Sequence, residues 1–457
     1  MTAETATTPT GRSATSGAGP LRVAGPDESF LLAEQRLGFR TPVQYLWVLD
    51  DDPGADAVEK FAHVIAGGQL NRAVARRRVP GARGRWVRSS IPPQVLHLGR
   101  IDDDAVGPWA DGILRTADLH APEGLAWKLC TVTTTRGRRV VALLISHLVA
   151  DGEAIMRALI AAADGHLDPL PDPAVARGRR AVREDVTDAA TQLRAAARSL
   201  KPIMREIRSK RPAKSEATPA VPRPPVTYDP LRVALATVDL DAADFHELAR
   251  RYHGTVNTLF TAIVAGIARR AGHPDSEELR VSVAVSKRGG PEDRRANASG
   301  GIWLRLRDGE DAPFDLGGIR TQSREAFTTY AESGNDVPDE TLSVVRLLPR
   351  KVLGALLPLV PAPDVSVSNL GVLNEKVQTI CGVRASSFVL RLMVQEPVGG
   401  ARADMPGPGM SGWIVQYDDR ITLSFAAFAT ERFGDDEGLR ALVDAELAAW
   451  DLEHRFW

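Results

Sequence analysis

A histidine, an aspartate and a glycine stand close together where a long apolar run ends. His147 and Asp151 are separated by three residues, and Gly152 follows directly. Histidine can take and return a proton near neutral pH without a large shift of its pKa, so His147 could act as a general base. Asp151 could face that histidine, or turn away and pair with an arginine. One histidine and one aspartate are too few ligands for a metal, so we expect no metal site.

The elements around this cluster would hold it in place. Val140–Ile145 is an uninterrupted apolar run of strand length, and Glu153–Ala163 is a good helix former with an acid in its first turn. The pattern predicts a strand, a polar turn and a helix, with His147 at the strand exit. A hairpin of Trp127–Thr133 and Arg139–Ser146 would deliver it. The same pattern also suits an ordinary loop histidine beside a common Asp-Gly turn.

Composition restricts the class of protein. The chain has 457 residues, room for two domains of ordinary size, with 25% charged and 44% hydrophobic residues. A formal net charge of -1 gives no general attraction to nucleic acid. The two cysteines, Cys130 and Cys381, exclude a disulfide framework and fit a reducing compartment. No apolar segment is long enough to span a bilayer, so we expect a cytoplasmic protein and leave a peripheral membrane contact open.

The segment His147-Leu-Val-Ala-Asp151-Gly152 resembles the HxxxDG signature of the CoA-dependent acyltransferase superfamily. That superfamily includes chloramphenicol acetyltransferase, condensation domains and bacterial wax ester synthase/diacylglycerol acyltransferases (WS/DGAT). Several members carry two consecutive histidines; here a serine takes the first position and His147 the second, which the family uses as its base. The resemblance extends from about Ser29 to Trp450 and is closest to the WS/DGAT branch.

Several segments of the second half carry the resemblance further. Asn257 lies in a long apolar helix similar to the "tvND" helix of the WS/DGAT branch, with threonine in place of the aspartate. Arg288 ends a buried strand, and Asn297 stands where the branch has Gly-Asn. Ser368 and Asn369 end another strand, but Leu-Gly-Val follows where the branch has Val-Pro-Gly. This departure concerns the substrate range more than the fold.

The resemblance implies an α/β (α+β) fold. Two chloramphenicol-acetyltransferase-like halves, each a mixed sheet with helices, would meet at a central tunnel. We expect a disordered tail (1–25), an N-terminal half with HxxxDG (26–170), a basic Pro-rich crossover linker (171–229) and a C-terminal half (230–457). The linker is expected to be flexible and solvated; the alternative is a patch for CoA phosphates, an acidic carrier protein or an anionic membrane. The basic run Arg72–Arg78 is expected on a solvated helix face.

The implied activity is that of an O-acyltransferase similar to wax ester or triacylglycerol synthases. It would move an acyl group from acyl-CoA to a small or lipid alcohol, with no bound cofactor. An acyl-carrier thioester is the alternative donor, as in a condensation-type enzyme that acylates an amine or alcohol. A non-catalytic recruitment module of the same fold is the third possibility. Since aromatic residues are only 5% and no clear membrane helix is present, a soluble acceptor is as plausible as a fatty alcohol.

Each candidate site residue receives a role from the resemblance. His147 would be the general base, within a catalytic motif that includes Asp151 and Gly152. Asp151 would point away from the substrate and pair with Arg288. Two residues at a strand end would stabilise the oxyanion or contact the substrate. These two residues are Ser368 and Asn369, and Asn257 would give structural support together with Arg288.

Overall fold

The computed structural model describes residues 21–209, 226–274, 278–290, 293–307, 316–333, 339–349, 352–353, 362–396 and 407–457. The helices are α1 (Pro26–Leu32), α2 (Ala55–Ala66), α3 (Val106–Arg115), α4 (Gly152–Ala163), α5 (Gly178–Ser209), α6 (Ala242–Arg251), α7 (Val256–Arg270), α8 (Leu316–Ser333), α9 (Asp339–Leu347), α10 (Glu375–Gln378), α11 (Thr430–Phe433) and α12 (Asp436–Ala449). The strands are β1 (Pro42–Leu49), β2 (Arg72–Ala75), β3 (Arg85–Arg88), β4 (Val95–Ile101), β5 (Trp127–Thr134), β6 (Arg139–Ser146), β7 (Ala234–Asp241), β8 (Leu279–Ser286), β9 (Ser299–Leu306), β10 (Val365–Val372), β11 (Thr379–Ile380), β12 (Val383–Leu392), β13 (Met410–Tyr417), β14 (Arg420–Ala427) and β15 (His454–Phe456).

The first large sheet has the strand order β11-β12-β1-β6-β5-β4. Strand β4 runs parallel to β5, and the other neighbours are antiparallel, so the sheet is mixed as predicted. Every residue of β1 is buried, because this strand lies between two others and is covered by helices. The predicted hairpin of β5 and β6 forms, and β6 pairs with β1 along its whole length. Strand β6, which ends directly before His147, is therefore paired with β1 on one edge and with β5 on the other.

The first sheet also takes a strand from far along the chain. Strand β12 pairs antiparallel with β1, with Val43 opposite Leu392. The buried Arg391 of β12 pairs with Asp111 at 2.6 Å and donates to Gln44 Oε1 at 2.8 Å. The two halves are thus interleaved. The predicted division of the chain at residue 230 does not include this pairing of β12 with the first sheet. The local sequence of β12 does not indicate which sheet the strand joins.

The second large sheet has the order β15-β7-β14-β13-β10-β8-β9 and is also mixed. Strands β8 and β13 both run parallel to β10, and the remaining pairs are antiparallel. Because β8 and β10 are parallel neighbours, their carboxyl ends lie at the same edge of the sheet. The loop that carries Arg288 therefore follows β8 at the same edge as the end of β10. Ser368 and Asn369, predicted at a strand end, lie within β10 instead, opposite Trp413 and Ile414 of β13. Helix α7 contacts β8, β10 and β13 and begins at the capping residue Thr255.

Two expectations for the N-terminal region are wrong. Residues 21–25 were expected in a disordered tail, yet Val23 is fully buried and its N–H donates to the Gly84 carbonyl at 3.0 Å; residues 1–20 lie outside the described part. The basic run was expected on a helix face, but α2 ends at Ala66, before two glycines. Arg72 instead opens strand β2 and is buried.

The expected linker is not a flexible connector over its first part. Residues 178–209 form α5, and Asp185 pairs with Arg22 at 2.8 Å and with Arg85 at 2.6 Å. Asp188 pairs with Arg83 at 2.7 Å. The basic residues of this segment are typical of a solvated linker, but its acidic residues form ion pairs with the N-terminal half. Of the basic residues Arg194, Arg198, Lys201, Arg205, Arg208, Lys210 and Arg211, the first two are exposed, and the last two lie outside the described residues.

Candidate active site

His147 lies where β6 ends, and its backbone is fixed from two sides. Its N–H donates to the Thr41 carbonyl at 2.8 Å, and its carbonyl accepts from Asn297 Nδ2 at 2.9 Å. The side chain is half-buried and stacks on Phe30, with ring centroids 4.5 Å apart and planes inclined by 22°. Its Nδ1 atom is buried and has no hydrogen-bond partner among the described residues. The ring is therefore held in one plane with Nδ1 facing inward.

The electrostatic environment favours the neutral imidazole. Burial lowers the pKa of His147, while Asp151, the residue's own backbone and the Asn297 side chain act in the opposite direction. The lowering prevails, so the ring is unprotonated at neutral pH. This is the state that a general base needs.

Asp151 is the N-cap of α4, and its carboxylate is fully engaged. Oδ1 accepts from the Ala154 N–H at 2.8 Å and from Arg288 Nη2 at 2.7 Å. Oδ2 accepts from the Ala298 N–H at 2.7 Å and from Ser299 Oγ at 2.9 Å. Burial opposes ionisation, but these hydrogen bonds and the Arg288 charge together lower the pKa of Asp151. The carboxylate thus faces the loop after β8, in the pairing with Arg288 that the sequence predicts.

The loop after β8 wraps around the start of α4. Arg288 also donates to the carbonyls of Arg295 at 2.8 Å and Ala296 at 3.0 Å. Ser286 donates to Glu153 in the first turn of α4, and Arg157 in its second turn donates to the Gly290 carbonyl at 2.6 Å. These contacts join the two halves of the chain directly beside His147.

Gly152 lies where the end of β10 approaches α4. A Cβ atom at this position would be 2.7 Å from Leu370 Cδ2 and 3.6 Å from the Tyr45 hydroxyl. The Tyr45 hydroxyl donates to the Gly152 carbonyl at 2.8 Å. The glycine therefore lets the end of the Leu370 side chain lie close to the start of α4. Leu370 follows Asn369, so the predicted oxyanion segment reaches the helix that begins after His147.

Asn369 is tied to the second half of the chain. Its Nδ2 donates to Asn257 Oδ1, and its Oδ1 accepts from the Gly371 N–H at 2.7 Å. The structure thus brings Asn257 and Asn369 together, at the start of α7. Ser368, half-buried in β10, makes no hydrogen bond through its hydroxyl to a described residue. Of the two candidates, Ser368 is the one whose side-chain donor is not bound to another described residue.

A cavity of about 420 Å³ opens beside Asn257. It lies between the first turns of α7, strand β8 and the helix α8. Arg320 and Arg324 on α8 line it and are both exposed, together with the hydroxyl groups of Thr258 and Ser323. Its lining offers positive charge and hydroxyl donors close to the predicted site.

Sequence reasoning missed the contribution of α1. Phe30 stacks on His147, and Asp27 Oδ1 accepts from the Asn297 backbone N–H at 2.7 Å. The neighbouring Glu28 forms a buried ion pair with Arg346 of α9. Two acids at the start of a short helix look like ordinary helix-dipole partners in the sequence. No spacing rule connects Asp27 and Phe30 with a histidine more than a hundred residues away.

The overall structure resembles several solved structures. Wax ester synthase/diacylglycerol acyltransferase from Marinobacter aquaeolei VT8 aligns with a TM-score of 0.55 and 16% sequence identity, over 95% of this chain and 99% of that one. The first condensation domain of the calcium-dependent antibiotic synthetase, in complex with a substrate analogue, aligns with a TM-score of 0.57 and 15% identity, over 95% and 96%. A mutant starter condensation domain of rhizomide synthetase in complex with C8-CoA aligns with a TM-score of 0.53 and 14% identity, over 94% of each chain.

The chain has the condensation-domain/CoA-acyltransferase fold. The alignments cover both halves, so the predicted fold is confirmed over nearly the whole chain. No protein-family model matches the chain, and no curated protein matches its sequence. Within the described residues, no helix is both long and apolar enough to cross a bilayer.

Proposed function

We propose that the protein is an O-acyltransferase that moves an acyl group from acyl-CoA to an alcohol, with His147 as the general base. The observation that carries the proposal is the surroundings of His147. A half-buried imidazole of lowered pKa stands at a strand exit, while the nearby carboxylate of Asp151 is engaged by other donors. The shared fold with WS/DGAT and condensation domains supports the same reaction class.

The reaction needs few protein groups, since a thioester carbonyl is already reactive. Nε2 of His147 removes the hydroxyl proton as the alcohol oxygen attacks the carbonyl carbon. The imidazolium then gives this proton to sulfur as the carbon–sulfur bond breaks, which yields the ester and the free thiol. A general base of this kind contributes ~10²–10⁴-fold to the rate.

The developing oxyanion needs a hydrogen-bond donor. Ser368 is the better candidate, because its hydroxyl has no partner among the described residues, whereas Asn369 is already bound to Asn257 and Gly371. One well-placed donor is worth about 3–4 kcal/mol of transition-state stabilisation. Asn257 and Asn369 would then hold the end of β10 in position.

The donor is expected to carry phosphate groups. Arg320 and Arg324 in the cavity beside Asn257 suit the phosphates of acyl-CoA, because guanidinium groups bind phosphate oxygens through charge-assisted hydrogen bonds. The acceptor is an alcohol, small or lipid. An assay with acyl-CoAs of different chain length and with several acceptors determines the preferred acyl group and the alcohol.

The test is free-thiol release from acyl-CoAs of short to long chain, with fatty alcohols, diacylglycerol and amines as acceptors. We expect acceptor-dependent release by the wild type and a loss of ~10²–10⁴-fold in His147→Ala. His97→Ala is the matched control, since His97 is an exposed histidine of β4 that contacts Glu59 at 3.3 Å. Release that persists in His147→Ala would remove this residue from the mechanism.

A carrier-protein thioester is the second candidate donor. Two of the similar structures are condensation domains, and they align as well as the WS/DGAT structure does. The exposed Arg194 and Arg198 of α5 offer positive charge for an acidic carrier. Turnover with acyl-CoA alone would exclude a strict carrier requirement. Turnover only with an acylated carrier protein would replace acyl-CoA as the donor and leave the role of His147 unchanged.

A further inference from the structure

Another cavity opens in the N-terminal half, between α2, α4 and the hairpin of β11 and β12. Its volume is about 520 Å³, within the range of about 300–1,000 Å³ that is usual for small-molecule sites in proteins. Each of the two helices lines it with one face. Ala57, Phe61 and Val64 belong to α2, whereas Leu159 and Ala162 belong to α4. The proposed acyl transfer makes no use of this cavity.

The cavity lies at the far end of α4 from His147. This helix begins at Gly152 and ends at Ala163, and its later residues line the cavity. With a rise of about 1.5 Å per residue, Leu159 lies about 10 Å and Ala163 about 16 Å along the helix axis from Gly152. At the start of α4, Gly152 packs closely against Leu370. The cavity is therefore a candidate site separate from the reacting groups.

The inner wall of the cavity is apolar. Leu159 and Ile380 belong to the buried core of this half, and Phe61 and Cys381 pack against the same core. Burial raises the pKa of the Cys381 thiol to about 11, so this group is uncharged at neutral pH and adds to the apolar wall. A surface of this kind can take an alkyl chain, because the removal of methylene groups from water is favourable.

The turn that carries Cys381 has an unusual backbone. Cys381 has a φ of 53° and Gly382 a φ of 78°, so both residues of the turn between β11 and β12 are left-handed. Two-residue turns of this kind favour asparagine, aspartate and glycine, and a cysteine rarely adopts this conformation. The hairpin therefore holds a residue that the turn itself does not favour at the wall of the cavity.

Two lysines supply positive charge at the cavity. Lys60 on α2 and Lys376 on α10 both line it, and both are exposed. Lys376 pairs with Asp164 at 2.5 Å, and the two side chains are 50% and 37% exposed. Since an exposed ion pair contributes little, a ligand anion can replace Asp164 at this lysine. An apolar wall beside two cations fits an alkyl chain that ends in an anionic group.

We propose that this cavity binds a free long-chain carboxylate, such as a fatty acid. The alkyl chain lies along the apolar wall, and the carboxylate accepts charge-assisted hydrogen bonds from Lys60 and Lys376. The thioester end of an acyl-CoA chain carries no charge, so the two lysines favour the free acid over the acyl chain of the donor. The proposal goes beyond acyl transfer and does not depend on it.

Cys381 provides a direct measure of occupancy. The chain has two cysteines, and Cys130 of β5 is buried, whereas Cys381 is half-buried at the cavity wall. A maleimide should therefore label Cys381 in the native protein, and Cys381→Ser should remove this labelling. Palmitate at about ten times its Kd should slow the labelling about 10-fold. Equal labelling rates with and without palmitate would overturn the proposal.

A series of fatty acids tests the apolar wall. From decanoate through laurate to myristate, calorimetry should show an affinity that rises up to about 4-fold for each added methylene group. Ala162→Phe fills the cavity and should abolish the binding of palmitate. Ala163→Trp, at an exposed position of the lining, serves where the phenylalanine variant does not fold. Wild-type affinity for palmitate in either folded variant would place the ligand elsewhere and overturn the proposal.

The paired substitution Lys60→Glu and Lys376→Glu tests the head group. It should weaken the binding of palmitate about 10- to 100-fold and leave the binding of hexadecanol, which has no charge, unchanged. Glutamate at both Arg305 and Arg307 is the matched control, because these exposed cations bind Glu278 outside the cavity. The control should keep the wild-type affinity for both ligands. Unchanged affinity for palmitate in the lysine variant would contradict the carboxylate contact.

Palmitoyl-CoA separates this site from the acyl-transfer site. Protection of Cys381 by palmitoyl-CoA but not by palmitate, lost when Arg320 and Arg324 become glutamate, would assign the cavity to the acyl chain of the donor and overturn the proposal. Protection by palmitate that persists in the same arginine variant supports it. If the wild type transfers no acyl group but palmitate protects Cys381, the acyltransferase function fails and the carboxylate site stands.

Discussion

Asp151 Oδ1 lies 2.7 Å from Arg288 Nη2, and the two side chains are only 3% and 2% exposed. This buried ion pair joins the loop after β6 to the loop after β8. The other positions on the carboxylate are occupied by donors from Ala154, Ala298 and Ser299. Asp151 therefore connects the two halves. Its oxygen atoms are occupied by these donors and do not accept a hydrogen bond from the imidazole, as a carboxylate that orients a catalytic histidine would.

The first prediction concerns this ion pair. Asp151→Asn should lower the free energy of unfolding by about 3–5 kcal/mol, because it leaves a buried guanidinium without its counter-charge. Arg288→Met should cost a similar amount, and the double variant should lose clearly less than the sum. Urea unfolding of the four proteins measures this coupling. Additive losses would contradict the pairing, and a fully stable but inactive Asp151→Asn would favour a catalytic role.

The second prediction is a pH profile. Burial lowers the pKa of His147, so the neutral ring should persist below its usual value of about 6.5. The kcat/KM for acyl transfer should be constant at neutral pH and fall as the pH drops through a midpoint below about 6.5. The profile should be measured with two acyl-CoAs of different chain length. A midpoint above the usual histidine value would show that another group limits the reaction.

Much of the fold follows from local patterns in the sequence. The predicted hairpin β5–β6 forms, and β1 and the hairpin β13–β14 lie on short apolar segments of the kind that favours strands. Asp241, an acid directly before α6, is the N-cap of that helix and accepts from the N–H groups of Ala243 and Asp244. These features depend on interactions between residues that are close in the sequence. The resemblance to a known superfamily supplied the pairing of Asp151 with Arg288.

The parts that could not be predicted depend on contacts between distant segments. The insertion of β12 beside β1 and the contact of Phe30 with His147 join residues whose local sequence gives no sign of the partner. Arg72 shows the same limit. It opens a basic run that is typical of a solvated surface, yet it is buried over the Trp86 ring at 5.4 Å. The local sequence pattern predicts whether a segment forms a helix or a strand. Whether a polar side chain in that segment is buried or exposed depends on the segments that pack against it.

The third prediction tests the close approach at Gly152. Gly152→Ala should be tolerated, because the nearest atom is the flexible end of Leu370. Gly152→Val should overpack this contact and cost about 1–3 kcal/mol of stability, with a loss of activity. Leu370→Ala should partly restore the valine variant. Thermal unfolding and thiol release measure both effects, and the absence of any rescue would mean that the valine disturbs another contact, such as that with Tyr45.

The fourth prediction concerns the cavity beside Asn257. Replacement of Arg320 and Arg324 by glutamate should raise KM for acyl-CoA about 10- to 100-fold and leave kcat nearly unchanged, because these groups are expected to bind phosphates away from the reacting atoms. Acyl-pantetheine, which has no phosphate, should show no change in KM. Arg305 and Arg307 are a matched pair of exposed arginines bound to Glu278. Glutamate at those two positions should leave both substrates unaffected, and an equal rise for acyl-pantetheine would contradict the phosphate contact.

The fifth prediction concerns the aromatic stack. Phe30→Leu keeps apolar volume against His147 but removes the ring face that restrains its plane at 4.5 Å. Aromatic pairs contribute about 0.5–1.5 kcal/mol, so kcat/KM should fall about 2- to 10-fold with little loss of stability. Phe61→Leu is the control, since Phe61 stands in α2 and contacts the Trp47 ring edge-on in the same half. An unchanged kcat/KM in folded Phe30→Leu would contradict a role of the stack in placing His147.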